Sequence, residues 1–135
     1  MFVKNWTAKI LTLKNNLIIT DKCIVAESFV TRFKGLMGRP AIASDEGIFF
    51  PRCNSVHMWF MRTPIDIIFV ARDGSNRNES EKGKENFYRV TSVRKKIRPW
   101  AVFPATDFKA TDTLELAPGA IQRFGVEAGD RLCIS

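Results

Sequence analysis

The residues of this chain best suited to chemistry lie in one stretch, residues 53–70, which reads CNSVHMWFMRTPIDIIFV. It contains His57, the only histidine among 135 residues, and Asp66, a carboxylate inside an otherwise apolar run. The alternation of side chains along a strand predicts that the imidazole shares a face with Ser55, Trp59 and Met61. A histidine and an aspartate that lie close together can act as an acid–base couple or can orient a polar ligand.

Asp66 needs a partner, because a buried carboxylate must accept hydrogen bonds, pair with a cation or take up a proton at a raised pKa. In one interpretation it caps a bend after Pro64 by accepting backbone N–H groups. In another it pairs with His57. The arginines that could neutralise it are Arg39, Arg52 and Arg62.

Cys53 precedes His57 by four residues, a spacing that on a helix could supply two metal ligands. On an extended strand, however, the two residues lie about 13 Å apart. The chain has no second histidine, and its other cysteines are distant in sequence, so no metal site is predicted. Cys53 is then either a buried free thiol or a nucleophile with His57 as its base.

The elements that would position these residues are mostly short strands with two-residue periodicity. Strands are predicted at residues 7–13, 17–26, 47–50, 56–61, 65–71, 87–93, 113–117 and 130–134, with residues 97–103 as an edge or crossing segment. Two short helices are predicted, one within residues 28–37 and one at residues 120–124, where Pro118 precedes the helix and Gly125 ends it. The predicted fold is mainly β (α+β), a compact β-barrel-like single domain with two short helices.

Residues 1–135 are expected to form one domain, because this length suits one hydrophobic core. Within it, residues 1–16 are an N-terminal strand or extension. Residues 75–86, SNRNESEKGKEN, contain no apolar side chain and are predicted to form a mobile polar hairpin insertion.

The charge of the chain is basic, with 21 Lys+Arg against 14 Asp+Glu and a formal net charge of +7. The one dense cluster is RKKIR at residues 94–98, followed by Pro99 and Trp100. Cations beside an aromatic ring are the elementary unit of single-stranded nucleic-acid binding. RNA-binding sheets normally carry paired stacking aromatics in a fixed motif, which the sequence lacks, so a nucleic-acid partner is not favoured.

No apolar run approaches the ~20 residues of a membrane-spanning helix, so no membrane span is predicted. Lys, Asn and Thr interrupt the first twenty residues, which leaves no apolar core for a secretory signal. The cysteines, Cys23, Cys53 and Cys133, form an odd and widely spaced set, typical of free thiols in a reducing compartment. A cytoplasmic location is expected.

Several blocks together resemble the DUF192 family over residues 17–135. They are GLMGR at 35–39, GIFF at 47–50, SVHMWFM at 55–61, PIDIIF at 64–69, Pro99-Trp100, LELAPG at 114–119 and Gly129-Asp130. The resemblance implies a compact, β-rich, barrel-like domain with short helices. Because the family has no established activity, it implies no function.

The shared blocks and the residue chemistry together predict one ligand pocket. Its candidate residues are Arg39, His57, Met61, Arg62, Asp66 and Trp100, and the catalytic candidates are His57, Asp66 and Cys53. The favoured function is a binding module for a small polar ligand or saccharide, with Trp59 or Trp100 as a stacking platform.

Two other classes of function are open. One is a small hydrolase or lyase that uses His57 and Asp66. The other is a non-catalytic interaction domain whose basic patch docks an acidic partner. No cofactor is predicted, and a monomer or weak oligomer is expected.

Overall fold

The structure is a computed structural model that describes residues 6–26, 43–56, 63–73, 86–98 and 104–135. In these segments the strands are β1 (Trp6–Thr12), β2 (Ile18–Val25), β3 (Glu46–Phe50), β4 (Ser55–Val56), β5 (Ile65–Arg72), β6 (Asn86–Ile97), β7 (Ala105–Thr106), β8 (Asp112–Leu116) and β9 (Arg131–Ile134). Between β8 and β9 lies a short helix, α1 (Ala120–Phe124).

Seven of the strands close into a barrel in the order β1-β2-β3-β8-β5-β6-β9, and β9 pairs back onto β1. Neighbouring strands run antiparallel, with the exception of the parallel pair β2 and β3. The short strands β4 and β7 form a separate two-stranded sheet. The predicted mainly β, barrel-like fold is therefore confirmed.

The alternation of β5 shows how the barrel builds two apolar layers. Ile68 and Val70 pack in a cluster with residues from the other barrel strands and from α1, which is the barrel interior. Ile65, Ile67 and Phe69 point the opposite way and pack against an outer cluster that includes residues of β3, β4 and β7. Both faces of β5 are buried, which explains its nearly continuous apolar sequence.

Helix α1 lies against one end of the barrel, where Ala120 and Ile121 join the interior cluster. It begins after Gly119, which has φ of 91°, and ends at Gly125, which has φ of 64°. Such left-handed conformations favour glycine because it has no Cβ. The helix predicted at 120–124 is confirmed, whereas the one predicted within 28–37 lies outside the described residues.

Most strand boundaries lie within one residue of the predictions, and the larger differences concern β6 and β7. β6 continues to Ile97, beyond the predicted end at residue 93, because it pairs with β5 along most of its length. Asn86, which the sequence placed in the polar insertion, begins β6 and pairs with Ile134. β7 was not predicted, because a strand of two residues is too short to show an alternation of apolar and polar side chains. The rest of the insertion, residues 75–85, lies outside the described residues.

Candidate functional site

Asp66 is fully buried and lies on the barrel-facing side of β5. Its Oδ1 accepts a hydrogen bond from the backbone N–H of Lys96 at 2.8 Å, and its Oδ2 accepts one from the N–H of Ile121 at 2.9 Å. Lys96 has φ of 49° and lies where the pairing of β5 and β6 is irregular. The carboxylate thus accepts backbone N–H groups, as the capping interpretation predicts, but from β6 and α1 rather than from a bend after Pro64.

The remaining residues of the predicted pocket cannot be placed relative to Asp66. Arg39, His57, Met61, Arg62 and Trp100 lie outside the described residues, as does Trp59. Their convergence on one pocket, and the pairing of His57 with Asp66, stay predictions.

Cys53 is half-buried and packs against the outer apolar cluster. Its Sγ donates to the carbonyl of Ser55 at 3.2 Å, and its own carbonyl accepts from Thr113 Oγ1 at 2.6 Å. All three cysteines are free thiols, and burial raises the pKa of Cys23 to about 12. The described surroundings of Cys53 are those of a packed thiol, and its use as a nucleophile stays a prediction.

A buried carboxyl group that sequence reasoning missed lies on β8. Glu115 is 3% exposed and points into the outer layer, between its strand partners Ile48 and Ile67. Among the described residues, none hydrogen-bonds to its Oε2. Burial raises the pKa of Glu115 to about 8, so the group is mostly protonated at neutral pH. The sequence did contain a signal for this group, because Glu115 is a single acid between Leu114 and Leu116. Asp66 was identified as a candidate from the same pattern, an acid inside an apolar run.

A cavity of about 500 Å³ lies at the end of the barrel opposite α1, where β2, β3 and β5 end and β6 and β8 begin. Its apolar lining comes from Val25, Phe49, Pro51 and Ile134, and its polar lining from Arg52, Arg72, Asn86, Tyr88, Thr111 and Asp112. Small-ligand sites combine apolar surface with convergent polar groups, and the lining of this cavity contains both.

The polar groups of this cavity are held in place by the barrel. Asp112 is fully buried, and its Oδ1 accepts from the backbone N–H of Arg52 at 2.9 Å. Arg52 has φ of 53°, so the chain turns sharply there to reach the carboxylate. Tyr88 packs edge-on against Phe49, with ring centroids 5.4 Å apart.

Charged and titratable side chains line the cavity. Desolvation and the charge of Asp112 raise the pKa of Tyr88, against the opposing charge and hydrogen bond of Arg72, so its hydroxyl stays protonated. Among the described lining residues, Arg52 and Arg72 are exposed and carry two positive charges against the single carboxylate of Asp112. The sequence considered Arg52 only as a partner for Asp66. The sequence provides no reason to combine Arg52 with Arg72. The two residues line one cavity only because the ends of β3 and β5 both lie beside the start of β8 in the closed barrel.

In the described segments, no group of three or more His, Cys, Asp or Glu side chains could hold a metal ion. No helix of those segments is long and apolar enough to cross a membrane.

Known proteins resemble this chain in sequence and in fold. The model of the DUF192 family, described as "Uncharacterized ACR", matches residues 10–83, which is 74 of the 135 residues. The chain belongs to the DUF192 family. No curated protein matches it.

Two solved structures share the fold. A protein of Sinorhizobium meliloti 1021, described as a "putative transcription regulator", is 23% identical, with a TM-score of 0.73 over 98% of this chain and 96% of that one. A protein of unknown function from Novosphingobium aromaticivorans DSM 12444 is 22% identical, with a TM-score of 0.70 over 93% of this chain and 81% of that one. At these identities the likeness shows the fold alone.

Proposed function

We propose that this protein is a binding module for a small polar ligand that carries a carboxylate or a phosphate. The observation that carries the proposal is the cavity of about 500 Å³ opposite α1, lined by two arginines and the Tyr88 hydroxyl. A guanidinium group matches the two oxygens of a carboxylate or phosphate, so the pair favours an anion over a neutral saccharide. The apolar lining provides the surface on which the rest of a ligand can pack.

We propose this cavity, rather than the surroundings of Asp66, as the ligand site. Both oxygens of Asp66 already accept backbone hydrogen bonds inside the fold. The predicted pocket of Arg39, His57, Met61, Arg62, Asp66 and Trp100 therefore stays a separate prediction.

We also propose a cytoplasmic location and a monomer or weak oligomer. The three free thiols support a reducing compartment.

The proposal is tested by thermal unfolding in the presence of inorganic phosphate, citrate or glucose. At a concentration ten times Kd, a ligand that binds only the folded state stabilises it by about 1.4 kcal/mol. For a chain of this size that is a rise in Tm of roughly 4–7 °C. We expect this rise with phosphate or citrate and a smaller one with glucose.

Arg72→Gln is the matched variant, because it removes one guanidinium from the cavity and leaves β5 in place. Lys9→Gln, on the exposed face of β1, removes the same charge away from the cavity. Citrate or phosphate should stabilise Lys9→Gln as it stabilises the wild type, and Arg72→Gln much less. Equal shifts in both variants, or no shift with either anion in the wild type, would contradict the proposal.

A further inference from the structure

The turn that follows β7 is fixed to β6 by the side chain of Asp107. Its Oδ2 accepts from Thr91 Oγ1 at 2.7 Å and from Ser92 Oγ at 2.6 Å, and its Oδ1 accepts from the backbone N–H of Lys109 at 2.9 Å. Desolvation raises the pKa of Asp107, but these hydrogen bonds and the nearby positive charge lower it overall, below its ordinary value. The carboxylate is therefore ionised at neutral pH and holds the turn against the strand.

This anchored turn presents Phe108 to solvent, with 91% of the residue exposed. Because the phenyl ring is exposed, it does not gain the stabilisation that burial gives an apolar side chain. The stability of the fold therefore does not explain an aromatic residue at this position. Because the turn is held by hydrogen bonds, the ring can meet a partner with little loss of backbone freedom. Leu17 and Ile18, the other large exposed apolar residues in the described segments, lie at the start of β2.

β6, the strand to which this turn is hydrogen-bonded, is strongly basic. Residues 86–98 contain five basic residues and no acidic one. Arg94 is half-buried, with its guanidinium 5.6 Å from the centroid of the Phe69 ring, whereas Lys95 and Lys96 are exposed. Within the described segments, the ion pairs involve other cations, which lie in the turn after β1, on β2 and on β9. We call Arg94, Lys95, Lys96, Phe108 and Lys109 the β6 surface.

We propose that the β6 surface binds single-stranded nucleic acid, with its cations along the phosphates and a base stacked on Phe108. A line of cations follows the sugar–phosphate backbone, and an exposed ring accepts the face of any base. The sequence did not favour such a partner, because it lacks the paired stacking aromatics of RNA-binding sheets. The structure supplies one stacking aromatic from a turn that lies distant from residues 94–96 in sequence and is tied to β6 by Asp107.

Two other partners fit this surface less well. A membrane surface requires a larger apolar area to insert, and Phe108 is the one large exposed apolar residue that the described segments place here. A protein partner requires an apolar interface core, and the members of the β6 surface other than Phe108 that the structure describes are cations. Nucleic acid needs only charge and one flat ring.

The test is fluorescence anisotropy of a labelled single-stranded dT oligonucleotide of about 12 nucleotides, titrated with the full chain at several salt concentrations. We expect Kd to rise steeply with salt, because binding releases counterions from the oligonucleotide. Phe108→Ala should weaken binding roughly 5- to 150-fold, which is the effect of losing one base–aromatic stack. Phe108→Trp should restore it. Since Phe108 is exposed, both variants should keep the wild-type Tm.

Three comparisons decide between the partners. The double variant Lys95→Gln/Lys96→Gln should weaken binding and flatten its salt dependence, whereas Lys9→Gln should bind as the wild type does. Poly-glutamate, a polyanion without rings, should compete poorly with the oligonucleotide. The proposal is overturned if the wild type does not bind, if Phe108→Ala binds as tightly as the wild type, or if poly-glutamate competes equally. It is also overturned if phosphatidylserine vesicles bind in a Phe108-dependent manner and the oligonucleotide does not.

Discussion

At the scale of single residues, Glu115 is a carboxyl group buried in an apolar environment that disfavours its charged form. It lies in the outer apolar layer between Ile48 and Ile67, and burial raises its pKa from 4.5 to about 8. An acid whose folded pKa is raised binds more protons in the folded state than in the unfolded state. Folding stability therefore falls as the pH rises from about 4.5 to about 8.

Replacing Glu115 with Gln should remove this pH dependence, because an amide keeps the shape of the neutral acid and does not titrate. At pH 7 the variant should be more stable than the wild type by a free energy of unfolding on the order of 3 kcal/mol. The advantage should shrink towards pH 5. The measurement is urea unfolding across this pH range, taken as the difference between variant and wild type.

Glu127→Gln serves as the control for that series. Its side chain is 78% exposed, so its pH profile should follow the wild type. A Glu115→Gln variant whose difference from the wild type stayed constant between pH 5 and pH 8 would show that Glu115 is not held neutral in the fold.

At the scale of elements, Asp66 joins three of them. One carboxylate on β5 accepts the N–H of Lys96 from β6 and that of Ile121 from α1, and it satisfies groups that the irregular strand and the helix start would otherwise leave unpaired. The helix has five residues and no side-chain cap of its own. Asp66 therefore does for α1 what a capping residue does in a longer helix.

The variant Asp66→Asn should lower the free energy of unfolding by about 2–4 kcal/mol, because its amide nitrogen would face one of the two N–H donors. For this chain length that is a fall in Tm of roughly 6–15 °C. The exposed Asp21→Asn on β2 should leave Tm within a degree or two of the wild type. An unchanged or raised Tm in Asp66→Asn would indicate a carboxylate held at the expense of stability and would revive the predicted pocket around it.

At the scale of the whole molecule, the barrel has no sheet edge among its seven strands, since β9 pairs with both β1 and β6. Residues at the two ends of the described chain are thus neighbours in one sheet. A closed sheet around a shared interior should unfold as one unit, in keeping with our proposal that residues 1–135 form a single domain.

Leu132, fully buried on β9, tests this cooperativity. Leu132→Ala should lower the free energy of unfolding by about 2–5 kcal/mol and should keep a single transition, with coincident melting curves by circular dichroism and tryptophan fluorescence. Leu17→Ala, at a 45% exposed position before β2, should change stability by about 0.5 kcal/mol or less. Two separate transitions in either variant would contradict the single unit.

The sequence by itself determined the class of fold and most of its elements. Period-two or continuous apolar runs locate β1, β2, β3, β5, β8 and β9, and Gly119 and Gly125 bracket α1, because these signals arise from neighbours in the chain. The isolated acid in residues 65–70 likewise showed that Asp66 must be buried with a partner. The sequence determined less about the candidate site than about the fold. Of the six predicted pocket residues, Asp66 alone lies among the described ones.

Only the tertiary structure decided which distant residues meet. Asp66 finds its donors 30 and 55 residues away, and Asp107 anchors the Phe108 turn on hydroxyls 15 and 16 residues earlier. The cavity joins Arg52 and Tyr88 because barrel closure gathers the ends of several strands at one place. Strand order and register depend on the packing of the whole chain, and no local periodicity carries that information.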